Sequence, residues 1–194
     1  MSKKQQVKIA GAEIRRPSAA PEAKPKAKAE AKPEAQTGEP PAPPPERLQL
    51  AVAVENPSDR PMHVWASRRG YEYDPETRVL TVYLTENTPE PPPGIQMISQ
   101  HPRTPAQIVV PPSGQATVNV AVPNVIRRRI PSEGLGMNFV EEPIGPIDEV
   151  EVHLQVATEP VPEAATEDPV EHRKRLQSHG NVIRTRIKPT GQKE

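Results

Sequence analysis

Through the middle of the chain apolar and polar residues alternate with a period of two. Leu48, Leu50, Val52 and Val54 alternate with Gln49, Ala51, Ala53 and Glu55, the spacing of a strand with one face buried. Asn56-Pro57-Ser58-Asp59-Arg60-Pro61 follows and supplies turn chemistry: proline fixes φ and withholds a ladder donor, while Asn and Asp side chains bond nearby backbone. The same reading predicts a strand over residues 62–69 that carries Trp65 and ends at Gly70. It also predicts a hairpin from Tyr71-Glu72-Tyr73 through Asp74-Pro75-Glu76-Thr77 into residues 78–85. Further strands are expected at 106–110, at 115–122 with Ala116, Val118, Val120 and Val122 sharing a face, at 124–130, and at 150–157. No helical period competes, so the pattern predicts an all-β fold, a single antiparallel immunoglobulin-like β-sandwich of about 7 strands with disordered N- and C-terminal tails.

Composition sets the expected boundaries. The chain has 194 residues and 28 prolines, and nine of those prolines fall between Pro17 and Pro45, a stretch without aromatic or branched apolar side chains. Such a segment cannot bury enough surface to repay its ordering entropy, and its prolines favour extended polyproline II conformations. Residues 1–45 therefore read as a disordered Pro/Ala/Lys/Glu-rich arm, a spacer reaching up to ~90 Å at ~3.1 Å per residue. Ahead of the spacer, Gln6 to Arg16 alternates briefly and reads either as a frayed terminus or as a strand that adds to a sheet edge, a partner's or its own. Residues 46–160 are the expected sandwich domain and 161–194 a basic tail. In that tail Asp168, Pro169 and Gly180 bracket a possible short helix.

Charge sums to zero over the chain but not along it. The first 45 residues hold nine basic and five acidic side chains, residues 46–160 nine and fifteen, and residues 161–194 seven and five. With no cysteine there is no disulfide framework, thiolate metal site or cysteine nucleophile. No apolar signal-peptide core follows the leading lysines, and no apolar run approaches the ~18 residues of a membrane span. The expectation is a cytoplasmic protein without membrane insertion.

Chemistry-bearing patterns are few. His63, His101, His153, His172 and His179 have no metal-ligand spacing, and His63 and His153 fall on polar faces expected to be solvated. Glu141, Glu142, Asp148, Glu149 and Glu151 cluster without the ligand rhythm of a calcium loop and read as a charged strand edge. Gly134-Leu135-Gly136 lacks the remaining glycine and context of a dinucleotide loop. No catalytic residue, cofactor or metal is therefore expected. Trp65, Tyr71 and Tyr73 beside Arg68 and Arg69 could form a partner-binding patch through stacking and cation–π contact, or anchor the core.

One repetition stands out. Asn124-Val125-Ile126-Arg127-Arg128-Arg129-Ile130 recurs as Asn181-Val182-Ile183-Arg184-Thr185-Arg186-Ile187, six of seven residues identical. The second copy, with Val182, Ile183, Arg184, Arg186 and Ile187 as candidate contact residues, is expected to pair at a sheet edge of the same or a neighbouring subunit.

The run Val54 to Val64, with its Asn-x-Ser-Asp-x-Pro turn, and the later run Ile108 to Val120, with Pro111-Pro112-Ser113-Gly114, resemble immunoglobulin-like sandwiches of the major sperm protein and pilus-chaperone type. The resemblance covers turn and strand chemistry and carries over no ligand residue. It implies a module that binds peptides, tails or strands and does not catalyse. The expected function is a non-catalytic protein-interaction or structural module that binds partners by sheet-edge strand addition and self-assembles through its tail. The alternative is a nucleic-acid-associated protein whose basic tails contact phosphate.

Overall fold

Val52 pairs with Ala12 on one side and with Val118 on the other, so the strand read from the central alternation lies in the middle of a sheet. The computed structural model describes residues 7–16, 47–89, 104–130, 138–161 and 168–191. In chain order these form β1 (Lys8–Arg15), β2 (Arg47–Asn56), β3 (Met62–Trp65), β4 (Gly70–Asp74), β5 (Val79–Leu84), β6 (Gln107–Val110), β7 (Gly114–Pro123), β8 (Val125–Ile130), β9 (Asn138–Pro143), β10 (Glu149–Ala157), α1 (Pro169–Ser178) and β11 (Asn181–Ile187).

The first sheet has the order β1-β2-β7 and is antiparallel throughout. The second runs β4-β5-β10-β3-β6, with β11 against β10, and β8-β9 forms a separate two-stranded ribbon. Alternation decides which side chains face inward. Leu48, Leu50, Val52 and Val54 of β2 and Val118, Val120 and Val122 of β7 meet Leu80, Val82 and Leu84 of β5 and Val150, Val152 and Leu154 of β10 in one buried core. Turn chemistry acts at Asn56, whose Nδ2 donates to the carbonyls of Arg60, Val110 and Pro111 at 2.7, 3.2 and 3.1 Å while its Oδ1 accepts from Ser58. One buried amide thus closes the β2-β3 turn and holds the end of β6 to it.

An all-β class holds, with corrections. The described residues contain eleven strands instead of about 7. The second sheet is mixed, because β5 and β10 pair in parallel from Glu149↔Val79 to Leu154↔Leu84. Parallel neighbours need a long crossover, and here it passes through β6 to β9, which local turn signals do not reveal. β9 was not expected, and the strand expected over 62–69 stops at Trp65.

The terminal expectations change most. Within the segment read as a disordered arm, residues 8–15 form β1 beside β2, burying Val7, Ala12 and Ile14. Within the segment read as a tail, α1 forms as expected and β11 pairs with β10 along its whole length. The two chain ends then meet: Ile14 N–H donates to Thr190 O at 3.0 Å and Thr190 N–H to Ala12 O at 2.9 Å. The proline-rich stretch 17–46 lies outside the described residues, but its flanks do not. The strands on either side of it, β1 and β2, are neighbours, with Arg15 opposite Gln49.

Candidate interaction surfaces

The outward face of the second sheet gathers polar residues where β5, β10 and β11 lie side by side. Tyr83, His153 and Arg184 occupy one row across the three strands, and Thr81, Glu151 and Arg186 the next. His153 Nε2 lies 2.8 Å from Glu151 Oε1, and Arg186 Nη2 donates to Glu151 Oε2 at 2.8 Å. These two hydrogen bonds, His153 first, hold the Glu151 carboxyl below its usual range. The Tyr83 ring meets the His153 ring edge-on at 4.8 Å, and its hydroxyl donates to Glu72 at 3.1 Å. Burial, with the Glu72 charge beside it, pushes the Tyr83 phenol up to about 12. His153, expected in solvent, is buried by these neighbours. Glu149 and Glu151, expected on an edge, lie on a strand flanked on both sides, and Arg186 pairs with both.

Helix α1 covers the far end of the same face. Leu176 packs with Trp65 and Val161 in a small cluster of its own. Beneath the helix, Gln155 is fully buried with every hydrogen-bonding group engaged. Its Nε2 donates to Leu176 O and His179 O, and its Oε1 accepts from the Thr85 hydroxyl and the Glu86 N–H. Asn87 Nδ2 donates to Gln177 O at 3.0 Å. Carbonyls left open by the helix end are thereby satisfied from the sheet. Glu86 draws Arg69 to 2.9 Å and Arg173 of the helix to 3.7 Å.

The aromatic patch expected from sequence is thus taken apart. Trp65 is fully buried, with the Arg69 guanidinium 5.7 Å from its ring centre. Arg68 lies 5.0 Å over Tyr71. The Tyr71 hydroxyl donates to Val125 O at 2.6 Å and that of Tyr73 to Pro146 O at 2.7 Å, so the two tyrosines tie β4 to the start of β8 and to the β9-β10 connection. Trp65 offers no face to a partner; it anchors α1.

The repeated strands take different partners. β8 pairs with β9, Arg127 opposite Glu141 and Ile126 opposite Glu142. β11 pairs with β10 of the same chain, which places Ile183 and Ile187 against the core and turns Val182, Arg184 and Arg186 outward. Gly180 makes the entry into β11 possible: its φ is +78°, and a Cβ there would run into the Val156 carbonyl. The first copy is preceded instead by Pro123.

The sheet margins differ in how they are protected. β4 carries Glu72 and Asp74, β11 carries Arg184 and Arg186, and β1 carries Lys8, Glu13 and Arg15 with an irregularity between Ile9 and Gly11. β6 is four residues long and runs into Pro111 and Pro112. Charges, bulges, prolines and shortness are the usual means by which edge strands avoid pairing with other chains. β7 has none of them before its last residue, Pro123. From Gly114 to Val122 it reads Gly-Gln-Ala-Thr-Val-Asn-Val-Ala-Val, and it pairs only with β2, leaving its other side without a strand among the described residues.

No family model, curated protein or solved structure matches the chain. No helix among the described residues is long and apolar enough to cross a membrane.

Proposed function

We propose that this protein is a non-catalytic interaction module that takes up an extended protein segment along the free side of β7. The observation that carries this reading is the contrast, among the described residues, between β7 and the other sheet margins: it is long, uncharged, free of proline before its last residue, and paired on one side only. An added strand would be held by main-chain hydrogen bonds, with alternate side chains setting preference. Strand capture is also what the immunoglobulin-like resemblance implies. Among the described residues the open side of β11 belongs to a strand that carries Arg184 and Arg186, charges that oppose pairing with a further strand, and exchange of β11 itself would require it to leave β10.

The test is affinity capture from nuclease-treated lysate with the full chain and with its Asn119→Lys variant, followed by hydrogen exchange on the recovered complex. The expected result is a protein partner lost in the variant and new protection over residues 115–122. A partner held equally by both forms would overturn the reading. Loss of all binding after nuclease treatment alone would transfer it to the nucleic-acid alternative.

A further inference from the structure

The strand that best matches the free side of β7 is β7 itself. We propose that β7 pairs antiparallel with β7 of a second copy of this chain about a two-fold axis at Asn119, joining two three-stranded sheets into one of order β1-β2-β7-β7-β2-β1. The inference rests on the strand-addition reading and names its partner.

Pairing of this kind must keep inward residues inward. In β7 the even positions Ala116, Val118, Val120 and Val122 face the core, and the odd positions Gln115, Thr117, Asn119 and Ala121 face out. Directly opposed residues share a face, so a register that preserves the two cores pairs even with even and odd with odd. Centring the axis on Asn119 does this. Val118 then meets Val120 of the second copy, and Ala116 meets Val122, each pair occurring twice by symmetry. Outside, Thr117 meets Ala121 and the two Asn119 side chains face one another.

No charge opposes its own image. Each amide of the central pair can donate to and accept from the other. About half of the residues in an antiparallel strand direct their N–H and C=O away from a given neighbour, so roughly four residues per copy present main-chain groups to the new partner. The contact is isologous and closes at two subunits, because each copy has one such margin.

The occupant follows from what the other strands are. Among the described residues, the strands with an unpaired side are β1, β4, β6, β7, β8, β9 and β11, and only β6 and β7 carry no charge. β6 has four residues. A charged strand set against β7 would bring its side chains beside uncharged, partly apolar neighbours, whereas β7 against itself brings none.

Sedimentation velocity of the full chain over a concentration series is the primary measurement, and a reversible monomer–dimer equilibrium is expected. Asn119→Lys sets two lysines face to face at the axis and should weaken the dimer at least tenfold. Gln49→Lys adds the same charge to the same exposed face on the central strand β2 and should leave it unchanged. Because the chain has no cysteine, Asn119→Cys provides a second readout that does not depend on how the lysine variant folds. Mild oxidation should yield a disulfide-linked dimer from Asn119→Cys and none from Gln49→Cys.

A chain monomeric at every concentration, or equal crosslinking of the two cysteine variants, would overturn the proposal. A monomer that still takes up a foreign strand in a manner sensitive to Asn119→Lys would overturn self-pairing alone and leave strand addition standing.

Discussion

Gln155 shows how little a side chain's type says about its part in a fold. In sequence it is one polar position in an alternating strand and belongs on the wet face; in the structure α1 lies over that face, and the amide holds two helix-end carbonyls, the Thr85 hydroxyl and the Glu86 N–H. Gln155→Leu keeps the volume and removes four hydrogen bonds; Leu176 O keeps His179 N–H and the Thr85 oxygen keeps Asn87 N–H, but His179 O and Glu86 N–H lose their Gln155 partner, a buried group left so costing ~1–3 kcal/mol. The variant should therefore lose several times ~1 kcal/mol in urea unfolding, with hydrogen-exchange protection falling first in α1. Glu151 makes a prediction in pH. Its folded pKa is depressed, so its contribution is present above the ordinary carboxylate range and disappears as pH falls through the folded value. The urea midpoint should start to drop as pH falls into the ordinary glutamate range and go on dropping below it, and Glu151→Gln should remove part of that slope while lowering stability near neutrality. Glu151 and His153 share a face of β10 two residues apart, so their bond is local; the Arg186 bond to Glu151 and the Tyr83 ring against His153 could not be read from spacing, because they come from β11 and β5, far away in sequence.

At the scale of elements, the two copies of the repeated strand are told apart by their one difference. Thr185 lies opposite the buried Val152 on the inward side of β11 and is partly buried, whereas the matching residue of the first copy is Arg128. A guanidinium there would be carried toward an apolar core without a counter-charge. Thr185→Arg should therefore cost at least ~1 kcal/mol and raise amide exchange along β11, while β7 retains its protection. An equally protected β11 would show that strand choice is made elsewhere, at Gly180 for example. The repeat itself was plain in the sequence; which copy takes β10 was not, because it depends on a face and an entry turn that exist only once β10 is in place.

At the scale of the molecule, the main revision concerns the N-terminal segment. Because β1 is part of the first sheet, removing residues 1–16 deletes the buried Val7, Ala12 and Ile14 and bares one side of β2. That truncation should lower stability by several times the ~2 kcal/mol of one large core truncation and promote aggregation. Replacing residues 17–46 by a short Gly/Ser linker should leave the fold intact and raise stability by about 0.6 kcal/mol for each halving of length. Thermal unfolding of the two forms checks both expectations; were residues 1–45 a free arm, both changes would be nearly neutral. The β class, most strand positions and the Asn56 turn were legible in the sequence, with a short helix between Pro169 and Gly180 as a possibility, because period-two burial, turn residues and helix caps are local properties of the chain. Tertiary pairing was needed to show that the two ends are strands of the same body, that β5 and β10 run parallel, that Trp65 faces a helix, and that among the described residues β7 pairs on one side only. Those depend on which strands become neighbours, and neighbours are chosen by burial across the whole chain.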